Sequence, residues 1–294
     1  MKTLIPSELS PVQLQAVLQG AIAPRPIAFV ATQDAKGLVN LSPFSFFNLF
    51  SSNPPVVVFS PARRVRDNTT KHSLENVLEL PECTVNIVDY ALVQQTSLAS
   101  TEYARGVNEF TKAGLTMVPS EVVKPPRVGE SPVQLECRML EVKPLGTEGG
   151  AGNLVICEVV RIHLRESLLD ANGRIDPFKI DQVARLGGDW YSRANAGLFE
   201  VEKPLTTLGI GVDVLPAAVR NSRVLTGNDL GRLGNLQQLP TPEAVAAARM
   251  YAERAELELR FAQDAESFEF HLHQLAKDFI AQNKVAEALA LLLS

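Results

Sequence analysis

The fold of this chain is decided by residues 24–61, PRPIAFVATQDAKGLVNLSPFSFFNLFSSNPPVVVFSP. Residues 27–33 and 38–47 have the composition of β-strands, with many branched and aromatic side chains. The connection 34–37 ends in a glycine, which tolerates the positive φ of tight turns, so we predict a hairpin. Residues 55–60 are almost continuously apolar, which indicates a strand covered on both faces.

Further strands follow, with few helices between them. We predict strands over 83–88, 131–145 and 152–167, the last two joined by the glycine-rich turn 146–152. Helical spacing predicts short helices over 10–20 and 67–80, the second capped by Asp67 or Asn68, and one or two more within 91–115. Long strands without a βαβ rhythm favour a mainly β fold, a closed antiparallel barrel, over a doubly wound sheet.

Composition narrows the class of protein. The chain has 294 residues, 46% of them hydrophobic, which is enough for a substantial buried core. Its formal net charge of −5 argues against nucleic acid as a partner. No run approaches the roughly 20 apolar residues that a bilayer span requires. Cys83, Cys137 and Cys157 lie far apart in apolar segments, which is typical of reduced core residues. We therefore expect a cytoplasmic protein without a membrane partner.

The composition changes after about residue 200. We predict a barrel domain over 1–202, a connector over 203–241 that wraps the barrel, and a helical extension over 242–294. Within the extension, apolar spacing predicts three helices, near 245–262, 268–279 and 283–293. The extension carries −4 of the net charge of −5, so the barrel is close to neutral. We assign the extension to packing or to contact with a protein partner.

An aromatic segment with small hydroxyl side chains, NLSPFSFFN, occupies residues 40–48. Pro43 cannot donate to a β-ladder, so we expect an irregular strand there. The backbone around Asn40, Ser42 and Ser45 can then pair with the polar edge of a flat ring. The alternative is a bulged barrel strand whose aromatic side chains serve only the core.

A basic loop with hydroxyl side chains, PARRVRDNTT, occupies residues 61–70 and precedes the predicted second helix. Charge and the positive end of a helix both favour a phosphate at such a place. The candidate ligands are Arg63, Arg64, Arg66, Asn68, Thr69 and Thr70. The alternative is a solvated basic loop without a ligand.

The remaining chemistry-bearing residues form no catalytic motif. Cysteine and histidine never occur at metal-ligand spacing, and no nucleophile motif is present. His72 lies next to the basic loop, and His163, on a late strand, can reach a site at the barrel wall. This pattern suits a cofactor that supplies the reactive atoms itself, and no protein residue is predicted to be catalytic.

The order of the pieces resembles one family. Residues 24–61 are followed by RDNTTKHSLENVLELPECTVNIV, SPVQLECRML, LVICEVVRIHL and RLGGDWYSR. Over about residues 20–200 this resembles the flavin reductase-like, FMN-binding split-barrel family. The resemblance implies a six-stranded Greek-key split barrel with short helices and a homodimer with FMN near the subunit interface. In the members that are reductases, it also implies reduction of the flavin by a nicotinamide, NADH or NADPH.

The resemblance also implies site residues. The family's flavin contacts fall on Asn40, Ser42, Pro43, Phe44 and Ser45. Its phosphate-binding run matches Arg66, Asp67, Thr69 or Thr70, and Asn76. Asn68 departs from the pattern, so either threonine can be the one that contacts the phosphate.

These observations predict an FMN-binding oxidoreductase in which NAD(P)H passes a hydride to the flavin N5, with Phe44 or Phe46 shaping the ring pocket. Two alternatives stay open at this point. One is an FMN-binding electron-transfer or storage protein with little nicotinamide turnover. The other is a scaffold without enzymatic activity that uses its helical tail to bind a partner.

Overall fold

A computed structural model describes residues 1–201 and 207–294 of the chain. The chain divides into two compact units, Met1–Phe199 and Glu200–Ser294. The predicted boundary between residues 202 and 203 lies outside the described residues.

The first unit is mainly β. Its strands are β1 (Ala28–Gln33), β2 (Val39–Phe44), β3 (Phe47–Ser52), β4 (Pro55–Phe59), β5 (Glu82–Ile87), β6 (Met117–Val118), β7 (Arg127–Val128), β8 (Val133–Pro144), β9 (Asn153–Leu164), β10 (Val183–Arg185) and β11 (Tyr191–Arg193). Its helices are α1 (Pro11–Ala21), α2 (His72–Glu79), α3 (Val93–Ala99) and α4 (Glu109–Ala113).

Seven strands form one antiparallel sheet in the order β2-β1-β5-β8-β9-β4-β3. The two ends of that order, β2 and β3, are joined only by Ser45 and Phe46. The three residue steps from Phe44 to Phe47 span at most about 10 Å. The sheet therefore has to roll up until its end strands meet. The rings of Phe44 in β2 and Phe59 in β4 lie 5.4 Å apart, which confirms that meeting. The predicted antiparallel split barrel is therefore confirmed.

The interior of the barrel is one apolar cluster. It contains Phe44, Phe59 and the three cysteines, and Leu74 and Val77 of α2 close it from one end. The Sγ atoms of Cys83 and Cys157 lie 3.9 Å apart, and all three thiols are free and buried. The predicted core role of the cysteines is therefore correct. A second cluster, which includes Phe29 and Leu41, packs the outer face of β1 and β2 against α3 and α4.

Several local predictions differ from the structure. The single strand predicted over 38–47 is two strands, which is why the sheet has seven strands and not six. Pro43 does not disturb β2, because it pairs in register with Phe29 on a strand at the end of the sheet. In β4 only Val57 and Phe59 are buried, so that strand is not covered on both faces.

The helix predicted over 67–80 is shorter at its start. α2 begins at His72, and its N-cap residue Lys71 makes no capping hydrogen bond through its side chain. Asp67 is not a cap, because its carboxylate accepts hydrogen bonds from the backbone N–H and the hydroxyl of Thr69 at 3.1 and 2.6 Å. Such a local turn competes with helix formation.

The second unit is helical. It contains α5 (Ala217–Arg220), α6 (Gly227–Gly234), α7 (Pro242–Arg249), α8 (Ala252–Arg260), α9 (Ala265–Ala281) and α10 (Val285–Leu292). The first helix of the predicted extension is broken, since α7 ends before Met250 and α8 begins after Tyr251. None of the described helices combines the length and the apolarity needed to cross a bilayer.

The predicted connector over 203–241 differs from what the structure shows. Its residues 203–206 lie outside the described residues. From residue 207 onward it contributes α5, α6 and the buried Leu215, Val219 and Leu233 to the core of the second unit. Because these side chains share one core with α7, α9 and α10, this segment belongs with the helices.

We expect Phe59→Ala to destabilise the barrel strongly, because Phe59 is fully buried beside the seam between the end strands. Removing a buried aromatic ring costs about 3–5 kcal/mol of unfolding free energy. Urea unfolding followed by circular dichroism measures this loss. Phe178→Ala is the matched control, since Phe178 is 63% exposed in the same unit. Equal unfolding midpoints for the two variants would contradict this packing.

Candidate functional site

A polar cleft lies where β2, the basic loop and the start of α2 meet. It is lined by Asn40, Ser42, Arg64, Lys71, His72, Ser73, Ala99, Ser100, Thr101, Glu102, Tyr103 and Glu109. The structure thus brings the aromatic segment 40–48 and the basic loop 61–70 to one place. The volume of this polar cleft is only about 20 Å³, since residues 99–103 cover it.

One wall of the polar cleft is the strand β2. Asn40 is buried in that wall, and the backbone N–H of Leu41 donates to the carboxylate of Glu109 at 2.9 Å. Burial raises the pKa of Glu109. Alternate residues of an edge strand turn their backbone to the same side, and the next such residue, Pro43, has no N–H. The next residue in this alternation is Ser45, directly after the end of β2.

Arg63 and Asn68 stabilise the basic loop itself. The Nε of Arg63 donates to the Oδ1 of Asn68 at 2.6 Å, and the Nδ2 of Asn68 donates to the carbonyl of Thr147 at 3.0 Å. Asn68 has a φ of 56°, a left-handed conformation that asparagine tolerates better than most residues. Neither residue lines the polar cleft. These two predicted phosphate ligands therefore act in the structure as loop supports.

The cationic centre of the polar cleft surrounds one carboxylate. Glu102 accepts from the Nε of Arg64 at 2.8 Å, the Nη2 of Arg66 at 3.1 Å and the Nζ of Lys71 at 3.1 Å. The hydrogen bonds from Arg64 and then from Lys71 lower the pKa of Glu102 to about 2. Sequence patterns did not indicate Glu102 or Lys71, because the group forms only when distant segments meet.

The two threonines differ in their partners. The Oγ1 of Thr69 accepts from the Nη1 of Arg64 at 2.9 Å and donates to Asp67. That hydrogen bond from Thr69 lowers the pKa of Asp67 to about 2. The Oγ1 of Thr70 donates instead to the Oε1 of Glu75 at 2.6 Å. The hydroxyl of Thr69 contacts the guanidinium of Arg64, which lines the polar cleft. Thr69 is therefore the better placed of the two threonines for an anion.

Ser73 is a site residue that sequence reasoning missed. Its side chain is only 1% exposed, and its Oγ has no hydrogen-bond partner. It lines the polar cleft at the start of α2, where the free N–H groups of a helix favour an anion. An orphaned hydroxyl, three cations and a helix N-terminus fit a phosphate group. The signal in the sequence that could have identified Ser73 was its position one turn after the basic loop.

Two further predicted residues lie elsewhere. Asn76 is buried, and its Nδ2 donates to the Oγ1 of Thr32 at 3.1 Å. This hydrogen bond connects α2 to β1. His163 on β9 bonds the fully buried carboxylate of Glu136 at 2.7 Å. Glu136 also accepts from the backbone N–H groups of residues 121–123. Neither Asn76 nor His163 lines the polar cleft.

An apolar cavity of about 490 Å³ lies on the other side of the basic loop. Its lining includes Leu14 and Leu18 of α1, Phe46 and Val65. Phe46 follows Ser45 and Val65 follows Arg64, so the apolar cavity and the polar cleft share the same two segments. Phe44 is in the barrel interior. Of the two phenylalanines predicted to shape a ring pocket, Phe46 is therefore the one that lines a cavity.

The fold agrees with a comparison with known proteins. The model of the flavin reductase like domain family matches residues 21–179, more than half of the chain. The chain belongs to that family. The helical unit from residue 200 lies beyond the matched residues.

Individual relatives cover the same part of the molecule. An uncharacterised protein of Halalkalibacterium halodurans is 37% identical over 203 residues, which are 68% of this chain and 96% of that protein. Component B of nitrilotriacetate monooxygenase from Bacillus cereus is 32% identical, with a TM-score of 0.64 over 68% of this chain and 98% of that chain. The 2-nitrobenzoate 2-nitroreductase of Pseudomonas fluorescens is 26% identical, with a TM-score of 0.63 over 71% of this chain and 100% of that chain.

We expect the carboxyl group of Glu102 to titrate with a pKa of about 2 in the folded protein. Since this pKa lies below the unfolded value, its contribution to stability is present above the unfolded pKa and is lost as the pH falls through the folded pKa. Lys71→Met removes one of its partners and should raise the pKa. Carbon-detected NMR titration of the side chain measures both values.

The matched control is Lys143→Met, because Lys143 is exposed on β8. A pKa of Glu102 that is the same in Lys71→Met and in the unchanged protein would contradict the ion pair.

Proposed function

We propose that this protein is an FMN-binding oxidoreductase that takes a hydride from NADH or NADPH. One observation carries the proposal: Arg64, Lys71 and the orphaned Ser73 hydroxyl line a polar cleft, and the same two segments of the chain also line an apolar cavity large enough for a ring. A flavin mononucleotide has one anionic end and one flat aromatic end. Membership of the flavin reductase like family supports the same cofactor class.

The chain's own residues have three tasks in this proposal. Arg64, Lys71 and Ser73 bind the phosphate by charge-assisted hydrogen bonds. The backbone of Ser45, directly after β2, orients the polar side of the ring. Phe46 and the apolar side chains of α1 exclude water from its aromatic side.

When bound, a flavin would supply the redox chemistry, taking up a hydride from the nicotinamide and giving electrons to an acceptor. A protein nucleophile is not required. Among the relatives, the 2-nitrobenzoate 2-nitroreductase is named for the reduction of an organic acceptor, which supports catalytic turnover over storage. The predicted cytoplasmic location and the protein partner of the C-terminal helices stay predictions.

We expect purified protein loaded with FMN to lose its visible flavin absorbance when NADH or NADPH is added without oxygen. Hydride transfer removes the oxidised flavin chromophore, so the initial bleaching rate measures the reaction. Free FMN at the same concentration is the control. If the protein binds FMN but neither nicotinamide bleaches it faster than free FMN, the electron-transfer alternative is favoured. If the protein does not bind FMN, the scaffold alternative is favoured.

We also propose that the chain forms a homodimer. The strand β3 lies at the end of the sheet and exposes Leu49 by 60% and Phe50 by 68%. Edge strands with exposed apolar side chains are ready sites for association. The family resemblance implies the same assembly.

We expect Phe50→Glu to shift the protein from dimer to monomer, because a carboxylate buried in an apolar interface is unfavourable. Size-exclusion chromatography with light scattering measures the mass. Phe178→Glu, at a similarly exposed phenylalanine outside β3, should leave the mass unchanged. A Phe50→Glu variant with the same mass as the unchanged dimer would argue against β3 as the interface.

A further inference from the structure

The carboxylate of Glu102 fills the anion position of the polar cleft. One of its oxygens accepts from Arg64 and Lys71, and the other accepts from Arg66. These are the donors that a phosphate would need. The protein therefore carries its own anion where the proposed function places the phosphate of the cofactor.

Space and hydrogen bonding make the two anions exclusive. The volume of the polar cleft, about 20 Å³, holds about one water molecule, so a phosphate cannot enter beside Glu102. Ser73 lies in the same lining, and its Oγ is neither exposed nor paired. Moving Glu102 out both opens the polar cleft and frees the cations that surround it.

Charge points in the same direction. The ion-pair group of Arg64, Arg66 and Lys71 with Asp67 and Glu102 has one net positive charge. Glu109, which also lines the polar cleft, is outside this group and accepts from the backbone N–H of Leu41. Without Glu102 the ion-pair group has two net positive charges. A phosphate monoester carries about −1.5 to −2 charge at neutral pH, so the group matches it only after Glu102 has left.

Glu102 can leave without disturbing the core. It lies between α3 and α4, outside both helices, and its side chain is 40% exposed. The segment is anchored on either side by the buried Ala99 and Phe110. A rotation of the Glu102 side chain towards solvent therefore breaks three partly exposed ion pairs and no core contact.

We infer that Glu102 is a built-in counter-anion that a phosphorylated flavin must displace, so that FMN is an exchangeable ligand and not a permanently bound group. This inference rests on the proposed function and deepens it. Glu102 lowers the affinity for the phosphate end of the ligand and has no effect on the ring. The opposite role, in which Glu102 orients the three cations for the phosphate, predicts the opposite sign.

The test compares FMN with riboflavin, which has the same ring and no phosphate. In the Glu102→Gln variant we expect the affinity for FMN to rise about tenfold, because partly exposed ion pairs worth about 1 kcal/mol or less each no longer compete. The release of FMN should slow in proportion. The affinity for riboflavin should stay within about twofold. Quenching of flavin fluorescence measures both affinities.

The matched control is Glu121→Gln, which removes one carboxylate paired with Arg161, away from the polar cleft. It should change neither affinity. Glu102→Ala, which also removes volume, should follow Glu102→Gln. An unchanged or weaker affinity of Glu102→Gln for FMN, or an equal rise for riboflavin, would overturn the inference. If the unchanged protein and the variants bind neither flavin, the proposed function fails, and the inference fails with it.

Discussion

The contact between the two ends of the sheet organises the first unit. Ser45 and Phe46 join β2 to β3 directly, although these strands stand at opposite ends of the strand order. The backbone must therefore close on itself, and the rings of Phe44 and Phe59 fill the seam from inside. Burial of such large aromatic side chains dominates the energy of a core. The barrel shape depends on this short connection as much as on the hydrogen bonds between paired strands.

Closure of the barrel also creates the candidate site. The same connection that closes the sheet presents Phe46 outward to the apolar cavity, while β2 presents Asn40 and Ser42 to the polar cleft. The helix α2 closes the barrel end with Leu74 and places Ser73 beside the cations. At this rim the core supplies rigidity and the loops supply charge, which suits the proposed ligand with one flat and one anionic end.

Local patterns in the sequence predicted the parts of the fold that depend on neighbours along the chain. The hairpin of β1 and β2, the first helix α1 and the buried cysteines are such features. The break after Phe44 was missed, because an uninterrupted aromatic run has no signal for a change of partner strand. The late start of α2 was missed because Asp67 forms a local turn with Thr69.

The two segments predicted to form the site meet at the polar cleft, but the carboxylate between the cations was not predicted. Arg64 was identified from charge and position, but its partner Glu102 is 38 residues away along the chain. Ser73 and Glu109 were not identified for the same reason, since their importance comes from burial beside a distant segment. Asn68 and Asn76 were predicted to bind phosphate, but in the structure they support a loop and a helix. The sequence could not separate these roles, because the same residue types serve both.

The three buried thiols in the barrel interior report on opening of the barrel. Hydrogen bonding with Cys83 and burial raise the pKa of the Cys157 thiol, which disfavours its reactive thiolate in the folded state. Oxidants and alkylating reagents therefore reach these buried sulfurs only when the barrel opens. The rate of thiol modification therefore reports on the opening of the barrel. In the closed form the sulfurs of the core are protected from oxidation.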